Sequence, residues 1–346
     1  MKALTIAVLQ GGPSSEAFVS RASAESVRAA LLAAGHRVTC IELDANTSEA
    51  VRTGGFDVAF PLTHGAFGED GCLQGVLEVL GIPYVGANVL GSALAMSKPV
   101  AKLAFAAAGL PIAKGLAFRR DDGRSAALAE RALREIGERL VVKPAANGSA
   151  IGVARLDRGA SVADVSGAIE AAFEVDDTVL VEHFSKGREV TCGVLDVHPE
   201  ARVGCALPAV AEANGPLALP PTEIVAPSDA FYTYEARYAP GRSHHACPAP
   251  LSPEVFARVQ DVAVRAHRAL HIRDLCRVDF VVGDVDDPDA VTLLEVNTLP
   301  GFTATSLYPE AAGVLGLPLP TLCDLLVRSA LRRGPTARNA GKPLPQ

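Results

Sequence analysis

Two short segments near the carboxyl end combine side chains that could bind a metal ion and phosphate. Arg277 and Asp279 are separated by one apolar residue, and Glu295 and Asn297 repeat that spacing. Side chains two residues apart in a strand lie on the same face of a sheet. Two neighbouring strands would therefore bring together one guanidinium, two carboxylates and one amide oxygen. Such oxygen ligands suit Mg²⁺ that is shared with substrate phosphates.

The alternative is a hairpin whose polar side chains are simply solvated. The residues around the four polar positions argue against it, because they are mostly valine, leucine and phenylalanine, which strands bury. Carboxylates in a buried strand need partners, since an unpaired buried charge is costly. The pattern therefore favours a binding site over a solvated hairpin.

A second group of candidates could bind a nucleotide. Lys143 ends an apolar strand and precedes the small-residue loop 145–152, whose backbone N–H groups could hold phosphate oxygens while the lysine neutralises them. The loop lacks the GxxxxGK[ST] pattern, so an ordinary strand lysine and turn is the competing interpretation. Glu182 ends a later strand and Glu189 follows it, which makes them weaker candidates for binding adenine and ribose.

Two glycine-rich loops follow apolar strands in the first third of the chain. They are Gly11–Glu16 and His64–Gly71. In sheets built from alternating strands and helices, ligands bind beyond the carboxyl ends of the strands. Glu16 would pair with an ammonium group, so the two loops predict a pocket for a small zwitterion. A lone histidine such as His64 is more often structural than catalytic.

The order of elements predicts an α/β domain followed by α+β units. For residues 1–97 we expect strands at 4–9, 37–42, 58–61 and 83–85, with helices at 19–34 and from 73. For residues 98–187 we expect helices at 98–109, 126–136 and 162–173, and strands at 115–118, 140–144, 153–156 and 178–182. Residues 188–331 form a third unit with a loop at 213–242, where four aromatic residues favour a lid over disorder. Residues 332–346 are expected to be a tail.

Composition excludes some classes of protein. The chain has 346 residues and a net charge of -7 without a basic stretch, which disfavours nucleic-acid binding. No apolar run approaches the roughly 18–20 residues that span a bilayer, and the N-terminus is typical of a first strand rather than a signal peptide. The seven cysteines are scattered and form no CxxC pair, as in a cytosolic protein with reduced thiols. Cys276 lies beside the predicted site, but the sequence shows no base to activate it.

Taken together, these segments resemble the D-alanine–D-alanine ligases of the ATP-grasp superfamily, from residue 4 to about 329. The motifs that carry the resemblance keep the order of the family. They are Gly11–Glu16 with Val19-Ser20, His64–Gly71, Lys143-Pro144 with Gly148-Ser149, Glu182 and Glu189, Phe231–Tyr238, Arg277–Asp279, and Leu294–Leu307.

The resemblance implies an N-terminal doubly wound parallel-sheet domain followed by a two-part ATP-grasp fold, with ATP between the last two domains. It implies that one D-alanine carboxylate is phosphorylated and that the amine of a second D-alanine attacks the acyl phosphate. The implied cofactors are ATP and two Mg²⁺ or Mn²⁺ ions. It further implies a cytoplasmic homodimer that supplies peptidoglycan precursors and has neither a nucleic-acid nor a membrane partner.

The resemblance also implies roles for individual residues. The ATP-binding residues would be Lys98, Lys143, Gly148, Ser149, Glu182, Glu189 and Arg237. The metal ligands would be Asp279, Glu295 and Asn297. The substrate-binding residues would be Glu16, His64, Ser306 and Leu307. The catalytic residues would be Glu16, Ser149, Tyr238, Arg277, Gly301 and Ser306, with the Gly301 N–H and Arg277 facing the oxygen that gains charge, and with Ser149 and Tyr238 linking the lid to Glu16.

Four positions depart from the family pattern. Phe18 stands where a charged or polar residue is common, Arg237 stands where lysine is usual, and Ala145 and Ala150 replace serines of the phosphate loop. Arginine and lysine are not interchangeable where the cation must contact its partner in a fixed geometry. These departures bear on lid contacts and kinetics rather than on the class of reaction.

Three alternatives stay open. A sister enzyme would join D-alanine to D-lactate or D-serine, although Tyr238 resembles the dipeptide-forming branch. Another ATP-grasp carboxylate–amine ligase, from a natural-product pathway, would keep the metal ligands and alter Glu16, His64 or Ser306. A non-catalytic nucleotide-binding protein would have lost one of the metal ligands.

Overall fold

The computed structural model describes residues 2–14, 16–146, 152–157, 159–203, 205, 207–225, 244–283, 287–303 and 305–335. In these parts of the chain, one parallel sheet is followed by two antiparallel sheets. The thirteen strands are β1 Thr5–Gln10, β2 Arg37–Glu42, β3 Val58–Pro61, β4 Gly115–Arg119, β5 Leu140–Pro144, β6 Ala154–Leu156, β7 Thr178–His183, β8 Arg188–Asp196, β9 Leu217–Ala218, β10 Thr222–Val225, β11 His244–Ala246, β12 Asp274–Val282 and β13 Val291–Asn297.

Twelve helices accompany these strands in the described residues. They are α1 Ala17–Ala33, α2 Thr47–Thr53, α3 Cys72–Leu80, α4 Val89–Met96, α5 Lys98–Ala107, α6 Ser125–Glu135, α7 Val162–Phe173, α8 Pro199–Arg202, α9 Pro208–Ala211, α10 Pro253–Ala269, α11 Leu307–Leu315 and α12 Leu319–Arg333.

The N-terminal sheet is parallel and has the order β2-β1-β3. Its central strand is buried on both faces, as in sheets covered by helices on both sides. Ile6 and Val8 face a core that includes α1, whereas Ala7 and Leu9 face a separate core with α2 and α3. The predicted doubly wound arrangement is confirmed, and the helix predicted at 19–34 is α1.

The predicted fourth strand at 83–85 is reduced to a single bridge. Tyr84 pairs with Ala59 of β3, and the Val85 N–H donates to the Ala59 carbonyl at 3.0 Å. Only one residue is bridged before the chain turns at Gly86, whose φ is 103°. The segment therefore lies in the place of a fourth strand without extending into one.

The four-stranded sheet has the order β4-β7-β5-β6 and is antiparallel. One face of it packs against α6 and α7 in a separate core. Helix α7 begins with a capping box, in which Ser161 and Asp164 bond each other's backbone N–H groups. The sheet and its two helices are an α+β arrangement, whereas Ala101 and Phe105 of α5 belong to the core of the six-stranded sheet.

The six-stranded sheet has the order β11-β10-β8-β12-β13, with β9 paired to β8. Helix α10 covers one face through Val255, Val259, Val262 and Ala266. Strands β9 and β10 lie in the described part of the segment predicted as a loop at 213–242. That prediction is wrong for this part, because Leu219 and Thr222 are buried and join the sheet.

Helix α12 returns to the N-terminal sheet. Its residues Leu322, Leu326 and Ala330 belong to the same core as α1 and β3. Arg332 and Arg333 form its last turn, so the prediction of a tail from residue 332 is wrong for these two residues. The reason is that Arg333 is tied to a buried carboxylate.

Asp274 is that carboxylate, and it is fully buried at the start of β12. It accepts hydrogen bonds from Arg333 Nη2 at 2.9 Å, Ser329 Oγ at 3.1 Å and the Gly86 N–H at 2.9 Å. Arg333 Nη2 also donates to the Tyr84 carbonyl at 2.7 Å. One carboxylate therefore joins the N-terminal domain, β12 and α12.

No single helix in the described residues is long and apolar enough to cross a membrane. Two pairs of consecutive helices, each sharply bent at its break, reach the length and apolar composition of a membrane span only when the two helices of a pair are taken together.

We expect Asp274→Asn to lower the free energy of unfolding by about 3 kcal/mol, because it leaves the partly buried Arg333 charge without its carboxylate partner. Asn tolerates the φ of 63° at this residue, so the substitution tests the charge rather than the backbone. Urea unfolding followed by circular dichroism measures the change. Asp177→Asn is the control, since its ion pair with Arg120 is exposed and is worth at most about 1 kcal/mol. Equal effects of the two substitutions would contradict this role of Asp274.

Candidate active site

Strands β12 and β13 bring the four polar side chains of the predicted metal site together. Arg277 lies opposite Asn297, and Asp279 lies opposite Glu295 in the antiparallel register. Cross-strand partners have Cβ atoms about 4.5–5.5 Å apart. Arg277 Nε and Nη2 both donate to the Asp279 carboxylate at 2.8 Å, and this pair is partly buried. A register shift follows Asp279, as is common where a strand aims side chains at a site.

The donor set on these strands is mixed. In the described part of the chain, no three His, Cys, Asp or Glu side chains come together as a metal cluster. The third candidate ligand is the amide oxygen of Asn297, which accepts a hydrogen bond from the Leu299 N–H at 3.0 Å. That bond fixes the orientation of the amide, so two carboxylates and one amide oxygen form the candidate ligand set.

Lys98, the first residue of α5, connects the metal residues to the phosphate loop. Its side-chain Nζ lies 3.2 Å from Glu295 Oε2, and its backbone N–H donates to the Ala145 carbonyl at 3.1 Å. Ala145 directly follows the strand that carries Lys143. Residues predicted to bind phosphate and metal therefore lie on either side of one lysine.

Lys143 and Glu182 lie on neighbouring strands β5 and β7, and their side chains form an ion pair. Lys102 of α5 forms a second ion pair with the same carboxylate. All three side chains are at least 88% buried, because 12%, 5% and 9% of the Lys143, Glu182 and Lys102 side chains is exposed. Burial raises the pKa of Glu182, but the charges of the two lysines lower it by more, so the carboxylate stays ionised.

Sequence reasoning missed Lys102. The signal was its position four residues after Lys98 in a helix otherwise rich in alanine, since residues four apart share one face of a helix. Burial lowers the pKa of Lys102, against the opposing charge of Glu182.

The two glycine-rich loops lie side by side at the carboxyl ends of β1 and β3. A Cβ on Gly65 would lie 2.8 Å from Ser14 Oγ, and the φ of Gly65 is 70°, so this contact requires glycine. Glu69 accepts from the Gly65 N–H at 2.7 Å and lies 3.8 Å from His64 Nδ1.

His64 is buried, and its Nε2 has no hydrogen-bond partner among the described residues. Burial lowers the pKa of its imidazole, but Glu69 and the charge of Glu16 raise it, with Arg277 opposing them, and the net pKa lies above 6.5. Residues of both glycine loops and of β12 thus act on one imidazole.

A third segment, residues 298–303 with 305–306, lies between β13 and α11. Phe302 is buried against Phe60 with ring centroids 5.6 Å apart, and its N–H donates to Ser23 Oγ of α1 at 3.1 Å. Ser306 Oγ accepts from the Thr303 N–H at 2.9 Å. A Cβ on Gly301 would lie 2.9 Å from that oxygen, which explains the small residue at 301. Leu307 begins α11, so free N–H groups lie next to Ser306.

The remaining predicted residues divide into two groups. Glu16 is the residue before α1, and Glu189 lies on β8 opposite Val281 of β12. Gly148, Ser149, Arg237 and Tyr238 lie outside the described residues, so their predicted roles stay predictions.

Cys276 has a histidine neighbour that the sequence did not indicate. His267 Nδ1 lies 3.3 Å from its sulfur, and His267 Nε2 lies 3.3 Å from Asp196. The two residues are nine positions apart, on either side of the end of helix α10, so only the packing of the helix reveals the contact. Burial raises the pKa of the Cys276 thiol well above its usual range, which disfavours the reactive thiolate.

A parallel-sheet domain followed by two antiparallel sheets, with Lys143 on one and the candidate oxygen ligands on the other, is the architecture of an ATP-grasp ligase. Family models for the D-Ala D-Ala ligase N-terminus and C-terminus match residues 43–87 and 104–328. The chain belongs to the D-alanine–D-alanine ligase family.

Curated relatives and solved structures agree. The D-alanine–D-alanine ligase of Desulforamulus reducens is 39% identical over 96% of this chain and 100% of its own length. That of Trichlorobacter lovleyi is 41% identical over 90% of each chain. The crystal structure of the Bacillus anthracis ligase complexed with ATP superposes with a TM-score of 0.76 at 27% identity, covering 96% of this chain and 98% of the other. The structure of the Coxiella burnetii ligase superposes with a TM-score of 0.75 at 29% identity, covering 95% of this chain and 96% of the other.

We expect Glu69→Gln to bring the pKa of His64 from above 6.5 to below it, because burial then outweighs the remaining Glu16 charge. Because the folded-state pKa is raised, the charged imidazole stabilises the fold fully below pH 6.5, and this contribution is lost as pH rises through the folded-state value. NMR titration of the histidine ring protons measures the pKa. His64→Gln assigns the signal, and the exposed Glu49→Gln is the control. An unchanged pKa in Glu69→Gln would contradict the role of Glu69.

Proposed function

We propose that this protein is an ATP-dependent ligase that joins two D-alanine molecules and releases D-alanyl-D-alanine, ADP and phosphate. One observation carries the proposal. Strands β12 and β13 pair Arg277 with Asn297 and Asp279 with Glu295, and Lys98 lies 3.2 Å from Glu295 while its backbone bonds Ala145 of the phosphate loop. The metal and phosphate groups of a phosphoryl-transfer site therefore adjoin one another.

Phosphoryl transfer depends mostly on positioning and charge neutralisation. In the proposed reaction Lys98 and Lys143 bind the ATP phosphates, Glu182 and Glu189 bind adenine and ribose, and Gly148, Ser149 and Arg237 complete the nucleotide site. A carboxylate oxygen of the first D-alanine bonds the γ-phosphorus as the bond to ADP breaks, which gives an acyl phosphate.

The candidate ligands fit Mg²⁺ or Mn²⁺, because Asp279, Glu295 and Asn297 offer hard oxygen donors on adjacent strands. When bound there, two such ions would supply positive charge to the phosphate oxygens. The protein supplies the remaining cations, and its role is to keep the donors on rigid strands.

The two glycine loops are suited to the first D-alanine. In the proposed complex the Glu16 carboxylate pairs with its ammonium group, and the buried Nε2 of His64, which has no partner among the described residues, bonds a polar atom of the ligand. Arg277 and the Gly301 N–H stabilise the oxygen that gains charge when the acyl carbon becomes tetrahedral, and one such donor is typically worth about 3–4 kcal/mol.

The start of α11 is suited to the second D-alanine. Ser306 and the Leu307 N–H bind its carboxylate at a helix N-terminus, which favours anions. Its amine attacks the acyl carbon, loses a proton and displaces phosphate. Tyr238 and Ser149 are proposed to link the lid to Glu16, and closure protects the acyl phosphate from water.

We place this reaction in the cytoplasm, where the dipeptide enters peptidoglycan precursor synthesis. The seven cysteines support a reducing compartment, since all of them are free thiols.

The proposal predicts phosphate release from ATP and Mg²⁺ with D-alanine alone and none with L-alanine, with the dipeptide identified by mass. A chelator should abolish turnover, and Glu295→Gln should lower kcat roughly a thousandfold through the loss of several kcal/mol of charge stabilisation. Glu49→Gln, on the exposed face of α2, is the matched control.

Other outcomes redirect or reject the proposal. Turnover only when D-lactate or D-serine is added would reject D-alanine as acceptor and keep the reaction class. If a folded protein releases no phosphate with any of the three acceptors, this substrate class is rejected.

We also propose that the protein is a homodimer, as the family resemblance implies. Static light scattering at micromolar concentration should give twice the chain mass of 35.8 kDa. A mass equal to that of one chain, with activity retained, would overturn this proposal.

A further inference from the structure

Helix α5 places an extra cation behind the nucleotide site. The Glu182 carboxylate accepts from the ammonium groups of both Lys102 and Lys143, and the three side chains lie almost entirely out of solvent. Two lysines and one glutamate carry a net charge of +1. Buried ions are normally balanced by partners because desolvation is costly, so the surplus charge is suited to an anion at this place.

The two lysines come from different elements. Lys143 ends β5, immediately before the phosphate loop, whereas Lys102 lies on α5 one turn beyond Lys98. Gly115 of β4 lies against Glu182, and a Cβ there would meet Glu182 Cγ at 3.0 Å. The carboxylate is therefore enclosed by β4, β5 and α5, and it has little room to move.

The charge balance explains why one lysine is not enough. Lys143 and Glu182 alone would form a neutral pair, and Lys143 could approach a phosphate only by leaving a buried carboxylate without a cation. With Lys102 in place, Glu182 stays paired when Lys143 turns away. Because Lys102 pairs with Glu182, Lys143 does not have to neutralise that carboxylate and bind a phosphate at the same time.

We propose that Lys102 is a positioning residue that neutralises Glu182 so that the Lys143 ammonium can bind the nucleotide phosphates. This inference rests on the proposed ATP site and adds a residue to it. Lys102 itself does not touch the reacting atoms. Its contribution should appear in nucleotide affinity rather than in the rate of the chemical step.

The test is a double-mutant cycle on ADP binding, measured by isothermal titration calorimetry with Mg²⁺. Lys102→Met should weaken ADP binding by about tenfold or more, as expected for the loss of one charge-assisted contact. The same substitution in a Glu182→Gln background should weaken binding by less than about threefold, because the neutral amide no longer holds Lys143. Lys102→Arg should stay within about threefold of the wild type, since it keeps the charge.

A purely structural role for Lys102 predicts a different result. Lys102→Met would then weaken ADP binding equally in both backgrounds, which would overturn the proposal. Thermal unfolding identifies variants that fail to fold. If the single variant Lys102→Met fails to fold, the folded double variant is compared with Glu182→Gln. A large loss of ADP affinity in the double variant would then overturn the proposal. Lys2→Met, at an exposed position, is the control for removing one positive charge.

Steady-state kinetics adds an independent readout. Lys102→Met should raise the KM for ATP with little change in kcat or in the KM for D-alanine. A wild-type protein that binds ADP without turning over D-alanine would defeat the proposed reaction and leave the binding cycle valid. A wild-type protein that does not bind ADP would overturn the role of Lys102 itself.

Discussion

The pairing of acidic side chains with cations is the constraint on which this site depends. Asp279 is paired with Arg277, Glu295 with Lys98 and Glu182 with two lysines. Glu182 is the most buried of the three, and burial alone would raise its pKa, but the charges of the two lysines lower it by more. A charge that is taken out of water needs such partners. Each of the three acidic side chains of the site therefore lies beside at least one basic side chain.

Helix α5 makes two of these pairings, one to each antiparallel sheet. Its first residue reaches Glu295 on the six-stranded sheet, and Lys102, on the same side one turn later, reaches Glu182 on the four-stranded sheet. The chain after α5 also joins the sheets, because the Leu293 N–H of β13 donates to the Pro111 carbonyl at 2.7 Å. A rotation of α5 would therefore disturb both halves of the site together. This is a reason to regard the two sheets as one binding unit.

The local pattern of the sequence predicted much of this arrangement. The alternation around residues 277–279 and 295–297 correctly indicated two strands with polar side chains on one face, since a period of two is a local property. What escaped prediction depends on contacts between distant residues. Lys102 lies 80 residues from Glu182, and Arg333 lies 59 residues from Asp274, so the first was given no role and the second was predicted to be part of a tail. The spacing of Lys102 from Lys98 indicates a shared helix face, but it does not indicate the carboxylate that this face meets.

Helix α12 has a consequence for how the chain is made. The N-terminal sheet is synthesised first, yet the core that holds Ile6, Val8 and Phe60 also holds Leu322 and Leu326 of the last helix. Because translation runs from the N-terminus, the nascent first domain leaves the ribosome with part of its apolar surface uncovered. That surface stays uncovered until α12 has left the ribosome. The first domain to emerge is thus among the last to be completed, and during elongation it presents a hydrophobic face of the kind that chaperones bind.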